Sequence, residues 1–116
     1  MAMIQREEGA ETVTACLSWA IISAVNLAEV VTKLISTGMD EQTAWWHIAV
    51  ISCETAPFDE EQARTAGGLA KITRPYGLSL GDRACLALAI HRQATVYTTD
   101  KVWKELLLGI EVEVIR

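Results

Sequence analysis

Apolar residues along the chain fall into short runs that alternate with longer, amphipathic segments. Four runs have the length and apolar content of strands, namely residues 19–22, 52–56, 95–98 and 111–115. The remaining segments predict helices over residues 7–17, 23–36, 40–50, 59–72, 79–91 and 100–107. Short strands that alternate with helices indicate an α/β fold in which helices flank a parallel β-sheet, as a three-layer α/β/α arrangement.

Capping residues support these boundaries. Each of four predicted helices is preceded by a side chain that can accept a hydrogen bond from its first turn. These residues are Ser23, Asp40, Asp59 and Ser79. Gly38 is expected to end the first of these helices, and the segment 74–77, which contains a proline and a glycine, is expected to be a loop. The last strand alternates apolar and charged residues, which is typical of a sheet edge.

Length and charge limit the possible functions. With 116 residues, the chain is expected to form one domain over residues 1–116. Its net charge is −5, so the surface as a whole repels nucleic acid. Nucleic-acid binding would therefore require a local basic patch or a bound metal ion.

The cysteines and the most apolar segment indicate a cytoplasmic location. Cys16, Cys53 and Cys85 are widely spaced among apolar neighbours, which predicts buried free thiols in a reducing compartment. The segment 15–31 contains four polar residues and follows three glutamates, so it suits neither a signal peptide nor a membrane span.

Three carboxylates are the candidates for chemistry. Glu29 interrupts an apolar helix, Asp82 lies in the first turn of another helix, and Asp100 directly follows a predicted strand. Each has a structural alternative: Glu29 shares a solvated stripe with Asn26 and Lys33, Asp82 suits the helix dipole, and Asp100 can cap a helix. If the fold brings the acids together at the carboxyl edge of the sheet, they suit a hard cation such as Mg²⁺ or Mn²⁺.

Basic and aromatic residues lie near these acids in the sequence. Candidates for phosphate contacts are Arg74, Arg83, Lys101 and Lys104, although surface solubility explains them equally well. The four tryptophans could stack on bases, but packing in a core or an interface is the favoured interpretation. They are Trp19, Trp45, Trp46 and Trp103.

Three segments around the acids, residues 22–31, 78–89 and 96–103, resemble the PIN domain, and most closely the VapC-type toxins of bacterial toxin–antitoxin systems. The middle segment, LSLGDRACLALA, is the most specific. The resemblance implies a cytoplasmic, metal-dependent endoribonuclease that acts on RNA. It also implies a homodimer and a VapB-like protein antitoxin as partners.

The resemblance also implies roles for individual residues. Glu29, Asp82 and Asp100 match the catalytic acids that hold Mg²⁺ or Mn²⁺ in the family. Thr98 matches a hydroxyl residue that precedes the last acid, and Asn26 is expected to support Glu29. Arg74, Arg83 and Lys101 become possible RNA contacts.

The start of the chain departs from the family pattern. The family begins with a strand that ends in an aspartate, whereas residues 1–11 here resemble the end of the first helix and the loop after it. The first central strand and its aspartate are therefore expected to be missing. Two functions follow: an impaired ribonuclease, or an inactive PIN-like module that binds an antitoxin or dimerises. A phosphatase-like hydrolase is disfavoured, because no acid ends an early strand.

Overall fold

The protein forms a five-stranded sheet with helices packed against it. The structure, a computed structural model, describes residues 2–5, 20–51, 54–98, 100–106 and 108–114. Its strands are β1 (Ala2–Gln5), β2 (Ala20–Ser23), β3 (Glu54–Ala56), β4 (Thr95–Thr98) and β5 (Val112–Val114). The order across the sheet is β3-β2-β1-β4-β5, so β5 is at an edge as predicted.

The helices follow the predicted segments closely. They are α1 (Ala24–Ser36), α2 (Glu41–Ile51), α3 (Glu60–Gly68), α4 (Ala70–Thr73) and α5 (Leu80–Arg92). Two 3-10 helices cover Arg74–Tyr76, where a loop was predicted, and Lys101–Glu105. The predicted α/β fold is confirmed. The helix predicted over residues 7–17 lies outside the described residues, as do Cys16, Trp19 and Cys53.

All four predicted N-caps are confirmed by hydrogen bonds. The acceptor is the side-chain oxygen in each case, and the donor is a backbone N–H of the first turn. The pairs are Ser23 with Val25 (3.2 Å), Asp40 with Thr43 (2.7 Å), Asp59 with Gln62 (3.0 Å) and Ser79 with Asp82 (3.2 Å). Gly38 has a φ of 102°, a left-handed conformation that ends α1 where the sequence predicts.

The helix predicted over residues 59–72 is interrupted. It ends at Gly68 and resumes at Ala70, so the single predicted helix is wrong at this point. Gly67 and Gly68 are adjacent, and glycine is among the poorest helix formers because its backbone loses the most entropy on folding. Two in succession are enough to weaken the helix there.

The centre of the sheet differs from the prediction. β1 occupies the position between β2 and β4, so a missing central strand is not confirmed. It runs antiparallel to both neighbours, with Ile4 opposite Ile21 on one side and Val96 on the other. The β2–β3 and β4–β5 pairs are parallel as predicted, so the sheet is mixed rather than wholly parallel. Without β1, the backbone groups of β2 and β4 facing this position would have no strand partner.

Helix α5 forms the centre of the core. Residues 84–89 are buried without exception, so this helix is enclosed nearly all round, as its apolar sequence predicts. It contacts α1, α3 and the strands β1, β2 and β4. Cys85 is a buried free thiol on this helix, in agreement with the prediction. Among the described residues, no helix is long and apolar enough to cross a membrane.

Candidate active site

A cleft of about 700 Å³ lies between α1, the start of α5 and the second 3-10 helix. Ten residues line it: Val25, Asn26, Ala28, Glu29, Val30, Thr32, Lys33, Asp82, Cys85 and Trp103. Helix α1 begins directly after β2, so its first turns stand at the carboxyl end of that strand. This is the edge at which α/β sheets commonly bind ligands.

The side chain of Asn26 fixes the position of Glu29 in this cleft. Asn26 Nδ2 donates one hydrogen bond to Glu29 Oε1 at 3.2 Å and another to the carbonyl of Gly81 at 2.9 Å. Asn26 is only 8% exposed, so its amide has little access to water. One amide therefore links the candidate acid on α1 to the first turn of α5.

Gly81 leaves the space that the Glu29 carboxylate occupies. A Cβ atom placed at residue 81 would overlap both carboxylate oxygens of Glu29. Only glycine allows such a close approach to the helix backbone. The contact brings Glu29 next to the residue that precedes Asp82 in the sequence.

Asp82 serves the helix and also lines the cleft. Its Oδ2 accepts a hydrogen bond from the Ser79 backbone N–H at 2.9 Å, completing a capping box with the Ser79 side chain. The bond uses one carboxylate oxygen, and Oδ1 has no partner among the described residues. The structural and chemical interpretations of Asp82 are therefore compatible.

Asp100 lies apart from this pair. It is exposed and caps the second 3-10 helix, where its Oδ1 accepts a hydrogen bond from Val102 N at 3.1 Å. Its own N–H donates to the buried hydroxyl of Thr98 at 3.0 Å, so Thr98 orients the backbone before the cap. Asp100 does not line the cleft, although Trp103 of the same segment does. The described part of the chain contains no group of three acidic, histidine or cysteine side chains placed to hold a metal ion.

Cys85 contributes a neutral thiol to the cleft wall. Burial, together with the nearby carboxylates of Asp82 and Glu29, raises the pKa of this thiol to about 12, because each disfavours a negative charge on the sulfur. The thiol is therefore protonated at neutral pH. It is a poor nucleophile and a poor metal ligand in that state.

The basic residues predicted to contact RNA do not line the cleft, whereas Lys33 does. Arg83 Nη1 donates to the carbonyl of Ala66 at 2.9 Å, which ties α5 to α3. Arg74 and Lys101 are exposed and do not line the cleft. Lys33 lines it and pairs with no acid among the described residues. The sequence predicts that Lys33 shares one helix face with Glu29, and the structure places this face at the cleft.

The tryptophans also divide into two kinds. Trp103 is buried and forms part of the cleft wall, which confirms the packing role predicted for it. Trp45 and Trp46 on α2 are exposed.

The fold and the cleft together define an α/β protein with a pair of acids beside the carboxyl edge of its sheet. The chain belongs to the PIN domain family, whose model matches residues 1–106. No curated protein matches the chain in a sequence comparison. The PIN domain is a nuclease-type fold that implies a nucleic-acid substrate, and its members are generally nucleases that depend on divalent metal ions.

Proposed function

We propose that the chain is a metal-dependent endoribonuclease of the VapC type, with low activity towards RNA phosphodiester bonds. The observation that supports this function best is the pairing of Glu29 and Asp82, which come from two different helices and line one cleft. Carboxylates that line one cleft make its electrostatic potential negative, which attracts cations. Their convergence at this edge of the sheet therefore favours a cation-binding role.

The donor atoms suit Mg²⁺ or Mn²⁺. Mg²⁺ is commonly held by one or two carboxylates, with waters and substrate phosphate completing its coordination. Glu29 Oε2 and Asp82 Oδ1 are the two oxygens without a hydrogen bond to the described residues, and Asp100 would add a third carboxylate if its segment moved towards the cleft. Such an ion, when bound, supplies an activated water and stabilises charge on the phosphoryl group.

We expect low activity because, among the described residues, only two carboxylates line the cleft in which the metal ion would bind. The central strand β1, with the sequence AMIQ, has no carboxylate, and Asp100 does not line the cleft. Two carboxylates attract a divalent ion less strongly than three or four do. We therefore expect weak metal binding and slow cleavage.

Lys33 is the residue of this cleft best suited to an RNA phosphate. Its ammonium group is exposed on the same helix face as Glu29, so it can hold a phosphodiester beside the acids. A local cation also offsets the net charge of −5, which otherwise opposes RNA association. Arg74 and Lys101 remain candidates for contacts farther along the RNA.

Cleavage of a mixed-sequence, single-stranded RNA tests this function. The chain is expected to cut the RNA slowly with Mn²⁺ and not at all with excess EDTA. Glu29→Gln and Asp82→Asn should each remove the cleavage, while Glu60→Gln on the exposed face of α3 should not. Cleavage that survives EDTA, or that both cleft variants retain, would contradict the proposal.

One observation favours a second function, a non-catalytic module that binds a VapB-like antitoxin or a second copy of the chain. Helix α2 exposes Trp46 and Val50, each with 63% of its surface accessible, at a spacing that places them on one face. Exposed tryptophan is typical of protein interfaces. In this case the chain would bind its partner and show no Mn²⁺ binding. Calorimetric titrations with Mn²⁺ and with the antitoxin distinguish the two functions.

A further inference from the structure

We infer that Gly81 is a positioning residue of the candidate metal site, because its missing side chain lets the Glu29 carboxylate pack against the first turn of α5, in the cleft that Asp82 also lines. This inference rests on the metal-dependent function proposed above. It assigns a task to a residue that carries no functional group. The task is steric: to keep open the space that Glu29 fills.

Glu29 needs external contacts to stay in one place. It is an exposed side chain with three rotatable bonds, so holding it in one geometry costs conformational entropy. Two contacts oppose this cost: the hydrogen bond from Asn26 to Glu29 Oε1, and the packing of the carboxylate against the Gly81 backbone. Asn26 also donates a hydrogen bond to the Gly81 carbonyl. Both contacts therefore hold Glu29 next to the same residue of α5.

A methyl group at residue 81 would displace Glu29 rather than the helix. The atoms it meets are the free end of a flexible side chain, which can rotate into solvent at little cost. The backbone of α5 can accept alanine at this position, since Gly81 lies in its first turn and its φ is not in the left-handed region. Alanine is also the better helix former. Gly81→Ala should therefore leave the fold intact and disturb the site.

The chain provides a matched control. Gly67 is also helical, and a Cβ atom added there meets nothing within 4 Å. Gly67→Ala has the same favourable effect on helix formation, without a neighbour to displace. Any difference in Mn²⁺ affinity or melting temperature between Gly81→Ala and Gly67→Ala is then due to the Glu29 contact.

The experiment is a Mn²⁺ titration, followed by electron paramagnetic resonance of the free ion, combined with thermal unfolding in EDTA. Gly81→Ala is expected to raise the Mn²⁺ dissociation constant about tenfold, equivalent to about 1.4 kcal/mol. Gly67→Ala should leave the constant unchanged. The melting temperature of both variants should equal or exceed that of the unmodified chain by a few degrees, roughly as expected for alanine replacing a helical glycine.

Other results would overturn either the positioning role of Gly81 or the proposed function. Unchanged Mn²⁺ affinity in Gly81→Ala would overturn the positioning role, while loss of affinity in Glu29→Gln would leave the proposed metal site standing. Equal, negligible Mn²⁺ binding by all forms, the unmodified chain included, would overturn the proposed function itself. If Gly81→Ala lowers the melting temperature, adding Glu29→Ala should restore it, because the collision is with that side chain. A loss that persists in the double variant would overturn the inference.

Discussion

The side-chain amide of Asn26 donates a 2.9 Å hydrogen bond to the carbonyl of Gly81, a residue 55 positions later in the chain. This bond joins the first turn of α1 to the first turn of α5. Both helices belong to segments that resemble the PIN domain, and both contribute an acid to the same cleft. Packing and chemistry therefore depend on the same contact.

Replacement of Asn26 tests that double role. Asn26→Ala removes the donor to a buried acceptor, and such a loss costs about 1–3 kcal/mol of unfolding free energy. The same change frees Glu29 and should weaken Mn²⁺ binding. Urea denaturation and Mn²⁺ titration measure the two effects. Ser36→Ala serves as the control, since its hydroxyl bonds the Lys33 carbonyl of the same helix and Ser36 does not line the cleft. A loss of stability in Asn26→Ala without any loss of Mn²⁺ affinity would separate Asn26 from the metal site.

Ser79 should affect stability alone. Ser79→Ala removes the side-chain cap of α5, for which a cost of about 1 kcal/mol is typical. The Ser79 backbone N–H still donates to Asp82 Oδ2, so the orientation of that carboxylate is retained. We expect a lower urea midpoint and an unchanged Mn²⁺ dissociation constant. A change in the Mn²⁺ constant would show that the Ser79 hydroxyl itself holds Asp82 in place.

The buried thiol predicts a dependence of stability on alkaline pH. The pKa of Cys85 rises from 9.0 to about 12 on folding, so between these values the unfolded chain has released a proton that the folded chain retains. Stability is then unaffected by this group below pH 9 and falls by about 1.4 kcal/mol per pH unit above it. Cys85→Ala should remove this fall in unfolding free energy above pH 9.

The measurement for Cys85 is urea unfolding of both forms between pH 7 and pH 11. Every other ionisable group is present in both proteins, so the difference between the two curves isolates the Cys85 thiol. Parallel curves would contradict the raised pKa.

Lys33 should bind RNA without contributing to metal binding. Lys33→Gln is expected to raise KM for RNA several-fold and to lower the dependence of log affinity on log salt concentration by about 0.7, the value for one phosphate contact on a single strand. Its Mn²⁺ dissociation constant should not rise. Lys71→Gln is the control, because Lys71 is exposed on α4 and does not line the cleft. Equal effects of the two substitutions would indicate a general charge effect rather than a contact.

Local signals explain why most of the fold could be predicted from the sequence. The four N-caps and the glycine after α1 act within a few residues, so their effect is visible in the sequence itself. The three candidate acids have local signals too: Glu29 interrupts an apolar helix, Asp82 lies where an apolar helix begins, and Asp100 follows a strand. Asp82 shows that a capping residue and a site residue can be one and the same.

Features that depend on distant parts of the chain could not be predicted in this way. The direction of β1 is set by its pairing with β2 and β4, which no local pattern encodes. The contact between Glu29 and Gly81 depends on how α1 crosses α5, and the separation of Asp100 from the other acids depends on where the second 3-10 helix packs. Spacing along the sequence specifies none of these arrangements.

Glu29 and Asp82 are proposed to hold a divalent metal ion together. Mn²⁺ is titrated into the unmodified chain, Glu29→Gln, Asp82→Asn and the control Glu60→Gln. The unmodified chain and the control should bind Mn²⁺, with a dissociation constant at least about tenfold higher in each cleft variant, or about 1.4 kcal/mol of binding free energy. Equal Mn²⁺ binding by all four proteins, or no binding by any, would contradict this proposal.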